Sequence, residues 1–187
     1  MKTEHQNRLL TVARDAILSA IDRRAGEEGY SPLPVDCPNE LQEERATFVT
    51  LTINGALRGC IGRLEACRPL VEDVAENARA AAFEDPRFEP LSEDEFRQIE
   101  IYISVLSPLE EMSFASEADL LQQIRPGEDG LILQDGARRG TFLPSVWKEL
   151  PDAERFLMHL KMKAGLPNTY WSDTLRVFRY TAEYFPV

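Results

Sequence analysis

Between residues 5 and 25 the apolar positions are Leu9, Val12, Ala13, Ala16, Ile17, Ala20 and Ile21. Steps of three and four predict an amphipathic helix with one buried face, ended by Gly26 and Gly29. Ser31-Pro32-Leu33-Pro34 reads as an extended connector, because each proline keeps its predecessor out of the helical region. The pattern then changes period. Ala46 to Ile53 is rich in β-branched residues, and Asn54-Gly55 separates it from Ala56 to Ile61. That is a hairpin signal, since a type I′ turn needs positive φ at both central residues. Pro69 stands where a helix can begin, and Leu70, Val71, Val74, Ala75, Ala78 and Ala82 form its apolar stripe.

Ser92-Glu93-Asp94-Glu95 has the form of a capping box for a short helix. Ile99, Ile101, Ile103 and Val105 alternate with Glu100, Tyr102 and Ser104, a strand with one apolar face that Pro108 ends. Ser116 caps a helix running through Ile124. Gly130 to Gln134 and Arg138 to Phe142 flank Asp135-Gly136, a second hairpin. A helix from Asp152 to Ala164 carries Phe156, Leu157 and Leu160 and is closed by Gly165; the last strand is Leu175 to Thr181. Hairpins and single helices mix without a βαβ repeat, which predicts an α+β fold with a mainly antiparallel sheet. No internal repeat or composition break divides the chain, so residues 5–185 read as one domain.

The chain's 187 residues suffice for one core, or for one core with a small satellite lobe. The formal charge of 21 − 32 = −11 repels phosphate backbones and argues against broad nucleic-acid binding. Arg23-Arg24 and Arg138-Arg139 read as solvated helix ends or turns. With Cys37, Cys60 and Cys67 as the cysteines, His5 and His159 as the histidines, and no Cys-x-x-Cys pair, no structural metal site is expected. The odd cysteine count fits a reducing compartment. The N-terminus has no apolar signal core and no stretch approaches the ~20 apolar residues of a membrane span. The expectation is a cytoplasmic protein that binds no membrane.

Leu57-Arg58-Gly59-Cys60-Ile61-Gly62 is unusual for a strand, because two glycines in six residues weaken it. Strand glycines mark bulges or close backbone approach. At period two Arg58 and Cys60 share a face, and a nearby guanidinium favours a thiolate. Backbone N–H groups bared at Gly59 and Gly62 would suit an anion. The alternative is a small, buried cysteine in a sheet that glycine lets pack tightly. In Asp85-Pro86-Arg87-Phe88, Arg87 would anchor an anion with Asp85 orienting it or acting as general base; alternatively Asp85 organises a turn and Arg87 makes a structural pair.

The hexapeptide resembles the signature of the AMMECR domain, whose bacterial and archaeal members are called AmmeMemoRadiSam system protein A. The likeness extends to Phe48-Val49-Thr50-Leu51, to Ala82 through Phe88 with Pro90-Leu91, to Glu100 through Leu106 with Pro108, to Gly127 through Gly130, to Phe142-Leu143-Pro144 and to Lys163-Ala164-Gly165-Leu166. It covers about residues 8 to 184. The resemblance implies an antiparallel sheet flanked by helices, a smaller lobe, and a cleft near the signature. It also implies association with Memo-like proteins, which resemble non-haem iron dioxygenases, and with radical-SAM proteins. It leaves the reaction and any cofactor unassigned. Many members carry a cysteine just before the Lys-Ala-Gly-Leu block; here that stretch reads His159-Leu160-Lys161-Met162, so a mechanism needing a second thiol there does not transfer.

Two functions follow as expectations. In the first, the chain is a binding or accessory component that docks through the hexapeptide. In the second, Cys60 is a nucleophile, Arg58 and Arg87 hold an anionic small-molecule or protein substrate, and Asp85 assists proton transfer. Gly59, Gly62, Arg87 and Lys163 are the binding candidates; Cys60, Arg58 and Asp85 the catalytic ones. Lys163 sits in a last helical turn, where a cation suits the dipole. Cys67 is expected at a helix start, Cys37 in loop packing, His159 off the apolar stripe of its helix, and Trp147 and Trp171 as packing residues.

Overall fold

The structure, a computed structural model, describes residues 1–25 and 37–186. The expected stop at Gly26 and Gly29 and the Ser31-Pro32-Leu33-Pro34 connector lie outside the described residues. In chain order the elements are α1 (Thr3–Ala25), α2 (Asn39–Gln42), β1 (Thr47–Ile53), β2 (Ala56–Gly62), α3 (Leu70–Phe83), α4 (Glu93–Phe96), β3 (Glu100–Leu106) and β4 (Glu110–Glu111). Then come α5 (Glu117–Gln123), β5 (Gly130–Asp135), β6 (Arg138–Phe142), a 3₁₀ turn (Pro144–Lys148), α6 (Ala153–Lys163), β7 (Arg176–Tyr180) and β8 (Ala182–Phe185). The fold is α+β, with two sheets of antiparallel strands.

The chain forms two compact units, one of Met1–Leu106 with Glu183–Val187 and one of Ser107–Ala182. In the first the sheet order is β2-β1-β3-β8, so β2 is an edge strand. Leu9, Val12, Ala13 and Ile17 of α1 and Leu70, Val74, Ala78 and Ala81 of α3 bury against Val49, Leu51, Ile101 and Ile103. The turn residues Asn54 (φ 51°) and Gly55 (φ 78°) have the positive φ that the hairpin requires. Buried Asp73, at the start of α3, fastens the helix to β1 by accepting the Thr47 N–H at 2.9 Å and the Thr47 hydroxyl at 2.7 Å. Burial pushes its carboxyl above the usual range.

In the second unit the sheet order is β4-β7-β5-β6. Leu131, Leu133 and Val177 meet Phe156, Leu157 and Leu160 of α6 in a separate core. Trp147 stacks on Phe156 with ring centroids 3.8 Å apart, as expected of a packing residue. The Ser107 N–H donates to the Thr181 carbonyl at 2.9 Å, and the Thr181 N–H to the Ser107 hydroxyl at 2.9 Å, clasping the two ends of this unit. The strand expected through Thr181 stops at Tyr180, and a further strand, β8, returns to the first sheet beside β3.

Candidate functional site

β2 pairs with β1 through Thr50↔Cys60 and Leu51↔Gly59, then Thr52↔Leu57, which leaves Arg58 in a bulge. The bulge removes Arg58 from the strict alternation assumed for the hexapeptide. Its guanidinium runs to α4 instead. Arg58 Nε donates to Glu95 Oε1 at 2.8 Å and Nη2 to Glu95 Oε2 at 2.9 Å, with a further bond to the Glu89 carbonyl at 3.0 Å. The same Glu95 carboxylate closes the capping box, accepting the Ser92 N–H at 2.9 Å. The Arg58 bonds, then those from Ser92, pull the Glu95 carboxyl down to about 2. Glu95 was visible in the sequence only as a cap; nothing there marked it as the arginine's partner.

The two strand glycines serve packing. A Cβ on Gly59 would stand 2.1 Å from the Ala81 carbonyl oxygen, so the backbone of α3 rests directly on β2. A Cβ on Gly62 would stand 2.3 Å from the Phe48 ring and 2.4 Å from the Thr47 carbonyl oxygen. Neither glycine has positive φ; in the ladder Gly59 pairs with Leu51 and Gly62 with Phe48. The face on which a side chain would stand is therefore filled, by the α3 backbone at Gly59 and by Phe48 and the Thr47 carbonyl at Gly62.

Cys60 is half-buried, beside Thr50, whose Oγ1 lies 3.3 Å from Sγ. Its backbone polar groups point off the sheet edge and are met by the loop after α3. Asp85 Oδ2 accepts the Cys60 N–H at 2.9 Å, and Arg87 Nη2 donates to the Cys60 carbonyl at 3.4 Å. Asp85 and Arg87 are themselves joined by a two-pronged pair, Nε to Oδ1 at 2.9 Å and Nη2 to Oδ2 at 2.7 Å, and the Arg87 N–H adds a third bond at 3.1 Å. The Asp85 side chain is 2% exposed and that of Arg87 54%. The Arg87 guanidinium, helped by the two backbone N–H groups, holds the Asp85 carboxyl far below the usual range. Such a carboxylate is a poor proton acceptor at neutral pH. Its role here is to hold Cys60.

Arg58, Gly59, Cys60, Gly62, Asp85 and Arg87 all belong to the first unit. Lys163 belongs to the second, at the end of α6, with Nζ 4.9 Å from the Phe142 ring centroid. His5 contacts Glu40, and His159 is half-buried on α6. Cys37 packs partly against the first core, and burial raises its thiol. Cys67 precedes α3 by three residues rather than starting it; it is exposed, and its Sγ accepts an N–H from Arg63 at 3.0 Å. Lys161, which the sequence reading did not single out, is fully buried and paired with Glu117 at 2.6 Å. No group of three or more His, Cys, Asp or Glu side chains among the described residues is placed to hold a metal ion.

These features define an α+β protein whose edge strand presents a cysteine held through its backbone by an aspartate–arginine pair. The chain belongs to the AMMECR1 family, whose sequence profile matches residues 10–185. It is 44% identical over 155 residues to a protein of Methanothermobacter thermautotrophicus, covering 82% of this chain and 81% of the relative. Protein MJ0810 of Methanocaldococcus jannaschii is 39% identical over 152 residues, covering 79% and 76%. The crystal structure of the uncharacterized protein PH0010 from Pyrococcus horikoshii superposes with a TM-score of 0.80 at 37% identity, covering 94% of this chain and 88% of that one.

Proposed function

We propose that this AMMECR1-family protein is a cytoplasmic binding or accessory component that docks Memo-like and radical-SAM proteins through the Leu57–Gly62 segment. The observation that carries this reading is how the site's charged groups are used. Glu95 engages Arg58, and Arg87 engages Asp85. These pairs fix the backbone of a strand edge, which makes a pre-ordered lip with a low entropic cost of docking. They leave no assembled acid, base and nucleophile among the described residues. No helix among the described residues is long and apolar enough to cross a membrane.

The test is titration of the purified chain against purified Memo-like and radical-SAM proteins from the same genome. Saturable binding to either, weakened about tenfold or more by Arg58→Ala in a variant that keeps its circular dichroism, supports the proposal; about 1.4 kcal/mol corresponds to that factor. No binding to either protein, or binding indifferent to Arg58→Ala, refutes it.

A second reading keeps Cys60 as a thiolate nucleophile on an anionic substrate. It draws on the place of Arg87 beside Cys60, where its guanidinium reaches the Cys60 carbonyl. It requires Cys60 to react with iodoacetamide faster than the exposed Cys67 and faster than Cys37. Under the docking reading, access governs the order and Cys67 reacts first.

A further inference from the structure

The second unit contains a cavity of about 290 Å³ between the extended chain after β4 and the loop before β7, near the roughly 300 Å³ lower bound of small-ligand clefts. Phe114 and Trp171 are both in its wall, with ring centroids 5.6 Å apart and planes tilted by 59°. Met112 and Leu175 add buried apolar surface, and Asp173 supplies a carboxylate. All five residues lie within Ser107–Ala182.

We propose that this cavity binds an organic cation, an ammonium or guanidinium carried on an alkyl stem. Asp173 is the charged residue in the cavity wall, is exposed, and has no ion pair among the described residues. The neighbouring carboxylates are already neutralised, Glu111 by Arg176 at 2.6 Å and Glu117 by Lys161 at 2.6 Å. A cation is attracted to aromatic rings and to an unpaired carboxylate together. No cationic residue lines the cavity to receive an anion.

The aromatic wall is ordered in advance. Trp171 is held by Phe114 and by the ammonium of fully buried Lys161, 5.7 Å from its ring centroid. The Glu117 carboxylate balances that ammonium at 2.6 Å. Ser172 is fixed by its bond to Thr174 at 2.7 Å, which steadies the loop that carries Asp173. The chain's net charge of −11 draws cations toward the surface as a whole.

The test follows the indole N–H resonance of Trp171 by NMR, assigned with Trp171→Phe. The probes are N-acetyl-arginine methylamide, butylammonium chloride, and the neutral N-acetyl-citrulline methylamide. At least one cation is expected to shift the resonance saturably, with Kd on the order of millimolar from the modest strength of such contacts. Citrulline is expected to bind about fivefold more weakly or worse, and Asp173→Asn to weaken the cation about fivefold without lowering Tm. Preference for the blocked arginine assigns the site to a side chain of another protein, and preference for butylammonium to a free amine. No saturable shift with either cation, equal binding of citrulline, or indifference to Asp173→Asn overturns the proposal.

Discussion

Asp85 accepts the backbone N–H of Cys60 at 2.9 Å across the free edge of the first sheet. The loop after α3 thereby does for that edge what a further strand would do. With Arg87 reaching the Cys60 carbonyl, both outward-facing backbone groups of Cys60 have partners. An edge strand with unpaired backbone groups invites another strand, and this pair closes it at the residue on which the signature centres.

Removing the carboxylate leaves the Cys60 N–H and the Arg87 guanidinium without their acceptor. Asp85→Ala is expected to cost about 2–3 kcal/mol in urea unfolding, the penalty for stranding partly buried polar groups. Arg87→Ala is expected to cost a comparable amount, because it leaves a carboxylate only 2% exposed without its cation. Arg87→Lys should recover only part of that loss, since an ammonium cannot make the two-pronged pair.

Gly59→Ala sets a methyl group 2.1 Å from the Ala81 carbonyl oxygen, a backbone atom that cannot step aside. The expected loss is about 3 kcal/mol, at the upper end of ordinary overpacking, read as a lower urea midpoint with the slope unchanged. Gly62→Ala should resist rescue by a smaller residue at Phe48, because the Thr47 carbonyl oxygen also stands 2.4 Å from the new Cβ.

Acid should loosen the site in a defined order. Arg87 lowers the folded-state pKa of Asp85, and Arg58 that of Glu95. A carboxyl depressed in the folded state contributes stability that is complete above its unfolded value and lost as pH falls through its folded value. For Glu95 the window runs from 4.5 down to about 2, and the Asp85 contribution persists further into acid. Tm measured against pH should therefore fall below about 4.5. Asp85→Asn and Glu95→Gln should each flatten that fall.

Much of the fold is written in the sequence through period and turn chemistry. The helical stripe of α1, Asn54-Gly55, the Ser92 box, the Ser116 cap and the Gly165 stop each depend on neighbours in the chain, and each has its structural counterpart. β8 is short and follows β7 after Thr181, so it offered no separate hydrophobic period. At the candidate site the residues Arg58, Cys60, Asp85 and Arg87 stood out, but their pairings did not. A bulge displaces Arg58 by a register slip that composition does not encode. The choice of Glu95 over the other nearby carboxylates depends on where α4 sits beside β2. Both glycines were legible as sites of close approach, but not the carbonyl of Ala81 or the ring of Phe48 that approaches them.

The central claim is that Asp85 holds Cys60 through its backbone amide. Amide hydrogen exchange at Cys60 measures this most directly, with Val49 and Leu51 of β1 reporting opening of the whole sheet. In Asp85→Ala the Cys60 amide is expected to exchange about tenfold faster relative to those two, the factor that loss of one such hydrogen bond implies. A Cys60 amide that keeps its relative protection in Asp85→Ala would contradict the account.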